Sequence, residues 1–254
     1  MINFFEQPVA MSEARLRAHI QTLKLGAELD VEPKSEQESD RSLEIVNGSA
    51  ILPVEGYIGA SMSPFERFVF GGTDLGELRS IVKQADADSD VSRIVLRVNS
   101  GGGSVEGLQE TMRTIRSSQK PVYSFIEGTG ASAAYFLASQ SREVHASLSA
   151  SVGSLGVIYA LSSYPDENRR VFRNREASLK NPGFRGEEIS DEQAEEIQRE
   201  IQAVFDNLRG EMDRQRPLSG NALNGSTFFG DAAKKAGLID GLHLDFEGFL
   251  SSLN

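Results

Sequence analysis

The sequence predicts an α/β fold built on a parallel sheet, and three observations carry that prediction. Apolar, β-branched runs such as RIVLRVN (residues 93–99) and PVYSFIEG (residues 121–128) are of the kind buried in a parallel sheet. Segments with helical spacing stand beside them: Leu75, Leu78, Ile81 and Val82 share one face, and Val105, Leu108, Met112 and Ile115 recur at intervals of 3, 4 and 3. Strand and helix signals then alternate along the chain, as right-handed crossovers require.

Residues 12–28 read as a helix with Ser12 as N-cap and Leu16, Ile20 and Leu23 on one stripe. A polar run with one proline, up to residue 42, reads as a flexible linker. The expected division is an N-terminal helical arm and charged linker over 1–42 and one folded domain over 43–254, the arm being suited to docking on a neighbour. Residues 44–59 suggest two short strands, and Asp74 with Glu77 forms a capping pair for the next helix. A long helix is expected from about residue 190 to 214, opened by a Ser190/Gln193 capping box, with Ile197, Ile201, Val204, Leu208 and Met212 as its stripe. The C-terminal end reads as a short strand, a helix and a closing segment.

The chain has 254 residues, enough for a sizeable core, with 39% hydrophobic and 25% charged residues. A formal net charge of −11 argues against nucleic acid as a partner, because phosphate contacts need clustered Lys and Arg. Cysteine is absent, which removes disulfides, thiol nucleophiles and thiolate metal sites. His19, His145 and His243 lie far apart in sequence and outside any ligand-spaced motif, so no metal is expected. No apolar run approaches the ~20 residues of a membrane span. The N-terminus lacks a signal-peptide pattern, so the expectation is a cytoplasmic protein.

Four stretches offer chemistry. In RVNSGGGSVEG (residues 97–107) three glycines come after a strand and before a helix, a turn able to present bare N–H groups to a negative charge. The Walker Gly-Lys-Ser/Thr ending is missing, as is the full dinucleotide spacing. In GASAAYF, Ser132 stands among small residues where a strand gives way to a helix. Ser154 lies between glycines in SVGSLGV, and Lys180 precedes Asn181, Pro182 and Gly183. Taken singly, these have plain readings as core filler, turn residue and solvated lysine.

Taken in order they resemble the signal peptide peptidase A family of Ser-Lys proteases, in particular the shorter branch that includes bacteriophage prohead maturation proteases. The similarity runs from about Gly56 to Leu242 and includes the terminal FFGDAAKKAGLIDGL. It implies a Clp protease/crotonase-like fold of repeated ββα units. Position by position, it implies Ser132 as nucleophile, Lys180 as general base and Ser154 as the residue holding the lysine. It also implies an oxyanion hole at Gly102 and Gly103 with Ala133, Gly103 and Ala133 being the expected amide donors. Gly101 stands where the family has proline, an expected source of mobility, and Ala133 and Ala134 replace a glycine pair, expected to narrow the site.

The chemistry is consistent with those residue types. Serine needs a base to take its proton. A free lysine of pKa about 10.4 is neutral in only ~1 in 2,500 molecules at pH 7, so it serves only where burial lowers that value. His145, between Ser132 and Ser154 in sequence, is the weaker candidate for the base. The resulting expectation is a serine endopeptidase without cofactor, acting on protein or peptide substrates such as capsid or scaffold proteins and assembled into a homo-oligomeric ring or dome. Two alternatives stay open: a non-catalytic assembly protein on the same fold, and a crotonase-type acyl-CoA enzyme.

Overall fold

The structure, a computed structural model, describes residues 9–11, 43–62, 72–159, 189–218 and 220–253. The expected helix over 12–28, the linker and Lys180 lie outside them. In chain order the elements are β1 (Val9–Met11), β2 (Glu44–Val46), β3 (Ser49–Gly59), β4 (Gly72–Asp74), α1 (Leu75–Ala87), β5 (Arg93–Ser104), α2 (Leu108–Arg116), β6 (Val122–Ala131) and α3 (Ala133–Ala138). Next come β7 (Glu143–Ser147), β8 (Ser151–Gly153), α4 (Asp191–Asp213), a 3-10 turn (Gly220–Leu223), β9 (Thr227–Phe229), α5 (Gly230–Lys235), β10 (Gly241–His243) and α6 (Phe246–Ser252).

The sheet runs β10-β7-β6-β5-β3-β2. β3, β5, β6, β7 and β10 are mutually parallel, and β2 is an antiparallel hairpin partner of β3. The register slips between Glu55 and Tyr57 against β5, and again between Val98 and Ser100 against β6. Such irregularities bend a strand and re-aim the residues beyond the bend. Past these bends the strand ends enter new pairings. The end of β3 pairs with β4, and the end of β6 pairs with β8, which pairs in turn with β9. A long strand, a short strand and a helix follow one another in β3, β4 and α1, and strand and helix alternate through β5, α2, β6 and α3, the mixed α/β architecture expected.

Alternation along the strands splits the core. One large cluster lies under the helices, built from Ile94, Leu96 and Val98 of β5, Leu75, Leu78 and Val82 of α1, and Leu108, Met112 and Ile115 of α2. On the opposite face Ile51, Val95 and Phe125 pack on Phe249 of α6, with Phe125 and Phe249 stacked at 5.1 Å. Fully burying an aromatic such as Phe249 stabilises by about 1.5–3 kcal/mol.

Both expected caps form. Asp74 Oδ1 accepts from Glu77 N at 2.9 Å while its Oδ2 accepts from Met62 N at 2.6 Å. Ser190 and Gln193 make a reciprocal capping box at the start of α4. That helix docks by its C-terminal end: Leu208, Glu211 and Met212 are its buried residues, whereas Ile197, Ile201 and Val204 of the expected stripe are only half-buried. Glu211 ties α4 to α2, accepting from Arg113 Nε at 2.8 Å, Arg116 at 2.7 Å and Gln109 at 3.2 Å. Burial would raise its pKa, but these donors outweigh that and hold it down to about 2.

One sequence expectation is corrected by this geometry. The glycines at 101–103 do not turn into a helix. They continue β5 as buried strand, and α2 starts only at Leu108 after Gly107 adopts φ 71°. The reason is packing, since a Cβ on Gly103 would lie 1.9 Å from the carbonyl oxygen of Ile58 in the adjacent strand. The fold also brings together two histidines that lie far apart in sequence. Parallel pairing of β10 with β7 brings His243 to His145, and a hydrogen bond of 2.8 Å joins His243 Nε2 and His145 Nδ1.

Candidate active site

β6 and α3 meet at Ser132. The run of small residues makes this junction feasible, because α3 is wholly buried and Ala133 and Ala134 sit flush in the main core. Tyr135, one turn on, anchors the helix by donating its hydroxyl to the Leu238 carbonyl at 2.7 Å, and burial pushes its phenol up from the ordinary tyrosine range. Ser132 itself takes φ 56° and ψ −121°, a backbone region that L-residues rarely occupy. Strain of this kind costs on the order of 1–3 kcal/mol and persists where the surroundings enforce it.

Those surroundings are backbone groups. Ser132 N donates to the Gly153 carbonyl at 2.8 Å, and its own carbonyl accepts from Phe136 N at 2.9 Å. Its Oγ donates to the Gly156 carbonyl at 3.4 Å, a long and therefore weak contact. Both tethers reach the segment that carries Ser154. Ser154 also has a positive φ of 50°, stands after Gly153 at φ 118°, and is fixed through its N–H to the Ser226 carbonyl at 2.8 Å. Of four non-glycine residues with positive φ among the described residues, two are therefore Ser132 and Ser154.

The glycine segment lies beside this junction, because Ser100 of β5 pairs with Gly130 of β6 two residues before Ser132. Ser100, fully buried, donates its Oγ to the Gly56 carbonyl at 2.6 Å and accepts from Gly102 N at 3.1 Å. The Gly102 amide is thus engaged by Ser100, and Gly103 supplies the next amide of the segment. Ala133, first residue of α3, contributes one of the leading N–H groups that a helix cannot pair internally. Two amides, a hydroxyl on a strained turn and a second serine suit attack on a carbonyl and stabilisation of the resulting oxyanion.

His145 is not part of this arrangement. Its Nε2–H donates to the Glu143 carboxylate at 2.9 Å and its Nδ1 faces His243, so both ring nitrogens are engaged. Among the described residues no group of three or more His, Cys, Asp or Glu could hold a metal ion, and no helix is long and apolar enough to cross a membrane. Residue reading alone missed Ser100, Gly153 and Gly156. The last two act through carbonyl oxygens, which carry no side-chain signature; Ser100 was visible only as part of the glycine motif.

Similarity to known proteins bears on this geometry. A 31% identical match over 218 residues is found to a Brucella abortus (strain 2308) protein named Na(+)/H(+) antiporter NhaA, covering 78% of this chain and 28% of that protein. The head-tail preconnector protein GP5 of enterobacteria phage P21 is 28% identical over 214 residues, covering 80% of this chain and 42% of its own length. The chain thus spans less than half the length of either relative. A solved structure of a 1510-N membrane-bound stomatin-specific protease K138A mutant with a substrate peptide is 13% identical with a TM-score of 0.46, over 80% of this chain and 78% of that one. The family model described as peptidase family S49 matches residues 114–246, a span that includes Ser132, Ser154 and Lys180. With more than half of its length matched, the chain belongs to peptidase family S49.

Proposed function

We propose that the chain is a serine endopeptidase in which Ser132 is the nucleophile and Lys180 the general base. The observation that carries the reading is the Ser132 backbone, held in a strained conformation by carbonyls of the segment bearing Ser154. Ser132 Oγ attacks a peptide carbonyl while the neutral Lys180 amine takes its proton. The Gly103 and Ala133 amides stabilise the tetrahedral oxyanion, each donor being worth ~2.7–4 kcal/mol in comparable sites. The C–N bond breaks, Lys180 returns the proton to the leaving amine, and water then releases the acyl group from Ser132. Ser154 orients the lysine. The similarity to a phage head-tail preconnector protein supports protein substrates of the phage-head kind, and assembly into an oligomer enclosing the sites is part of the proposal. Labelling by a fluorophosphonate tests this. Wild type should label at Ser132, Ser132→Ala not at all, and Lys180→Ala far more slowly; equal labelling of all three removes the dyad.

A further inference from the structure

At Gly102–Ser104, β5 has two edges, and both are taken. Tyr57 and Ile58 of β3 pair with Gly102 and Gly103 along one edge. β6 runs along the other as far as Gly130 opposite Ser100, then leaves to form the junction at Ser132. Beyond that departure the same edge is occupied by β1, running antiparallel, with Met11 opposite Gly102, Ala10 opposite Gly103 and Val9 opposite Ser104. β1 therefore continues the line that β6 abandons two residues before the nucleophile. Ser132 is meanwhile only 1% exposed, so a peptide carbonyl reaches its Oγ only after part of the chain withdraws.

We propose that Val9–Met11 is a resident strand, an intramolecular occupant of the position that an extended substrate peptide takes beside the nucleophile. The proposal rests on the reading of Ser132 given above. An exposed sheet edge binds an added strand chiefly through main-chain hydrogen bonds, so a segment of the same chain and a foreign peptide compete on similar terms. Tethering raises the local concentration of the resident to the millimolar range, enough to exclude weakly binding peptides. Among the described residues β1 has a single sheet neighbour and three paired positions, as do β2, β4, β9 and β10, so only a short ladder holds it in place. The occupant also fixes the polarity of the lane: a substrate that replaces it runs antiparallel to β5.

The test uses the full chain carrying Ala10→Pro with Met11→Pro. Alternate residues of an antiparallel strand donate to the neighbour, so one of these two adjacent amides belongs to the ladder, and proline removes it. Hydrogen exchange first shows that β5 and β6 keep wild-type protection at residues 93–98 and 122–126, establishing the fold. Fluorophosphonate labelling of Ser132 should then accelerate by about tenfold, as expected when a closed state populated about nine times in ten is abolished. A synthetic peptide of residues 5–15 should slow labelling of the double variant and leave wild type unaffected. Equal labelling rates in the folded variant and wild type overturn the resident strand alone. No labelling of either protein overturns the nucleophile assignment, and the resident strand with it.

Discussion

Ser132 and Glu211 are both buried polar residues, 1% and 3% exposed, yet they are held in opposite ways. Glu211 lies on a regular helix and is satisfied by side chains: Arg113, Arg116 and Gln109 converge on its two oxygens. Ser132 lies on strained backbone and is satisfied by main-chain carbonyls of Gly153 and Gly156. The first arrangement lowers the energy of the folded state, since a buried carboxylate with charged donors is strongly preferred to one without. The second holds a hydroxyl in one place at some cost in stability. A polar residue embedded in a core therefore does not announce its role by burial alone; the conformation of its backbone and the source of its partners separate structure from chemistry.

The contrast can be broken in order of expected effect. Ser132→Gly should abolish hydrolysis and labelling, a loss of at least about 10³-fold for a nucleophile. It should nevertheless be more stable than Ser132→Ala by about 1 kcal/mol, or roughly 2–4 °C in melting temperature, because glycine accepts a positive φ without strain. Equal melting temperatures for the two variants would show that the junction stores no strain. Glu211→Ala should do the reverse. It should destabilise by about 3 kcal/mol in denaturant unfolding, the lower end for a buried ion pair because Arg113 remains largely exposed, and leave Ser132 labelling intact where folded.

Acid titration sharpens the same comparison. The Glu211 carboxyl has a folded pKa of about 2 against an ordinary value of 4.5, so its contribution is present above pH 4.5 and is lost as pH falls toward 2. Glu211→Gln should flatten the stability curve in that window, whereas Ser132→Ala should not change it. The smallest effect belongs to the histidine pair. Burial, and then the neighbouring His145, lower the pKa of His243. The unfolded state therefore binds its proton first, and stability should decline as pH falls below 6.5. In His243→Asn that part of the slope should be absent from melting curves taken between about pH 7 and 5.

Local features of the fold were legible in the sequence, and remote ones were not. The Asp74 and Ser190 caps, the α1 and α2 faces and the strand-to-helix junction at Ser132 each depend on a few consecutive residues, which is why pattern sufficed. The glycines at 101–103 were read as a turn because glycine permits one; the nearby Ile58 carbonyl that instead demands glycine comes from a strand more than forty residues earlier. The His145–His243 contact needs residues 98 positions apart to be brought together by parallel pairing. β1 was invisible for another reason: three residues have no periodicity, and their place on β5 is set by a free edge rather than by composition.

The tether from Ser154 to the Ser226 carbonyl has a consequence for the order in which the protein is made. Synthesis proceeds from the N-terminus, and domains fold as their parts emerge. Ser132 and the glycine segment leave the ribosome well before the strand that pairs with β8 and before Leu238, whose carbonyl anchors Tyr135. A nascent or prematurely terminated polypeptide ending before Ser226 carries Ser132 without the supports that hold its neighbourhood in shape. Under the proposed function, competence for chemistry then arrives only after Ser226 and Leu238 have been made.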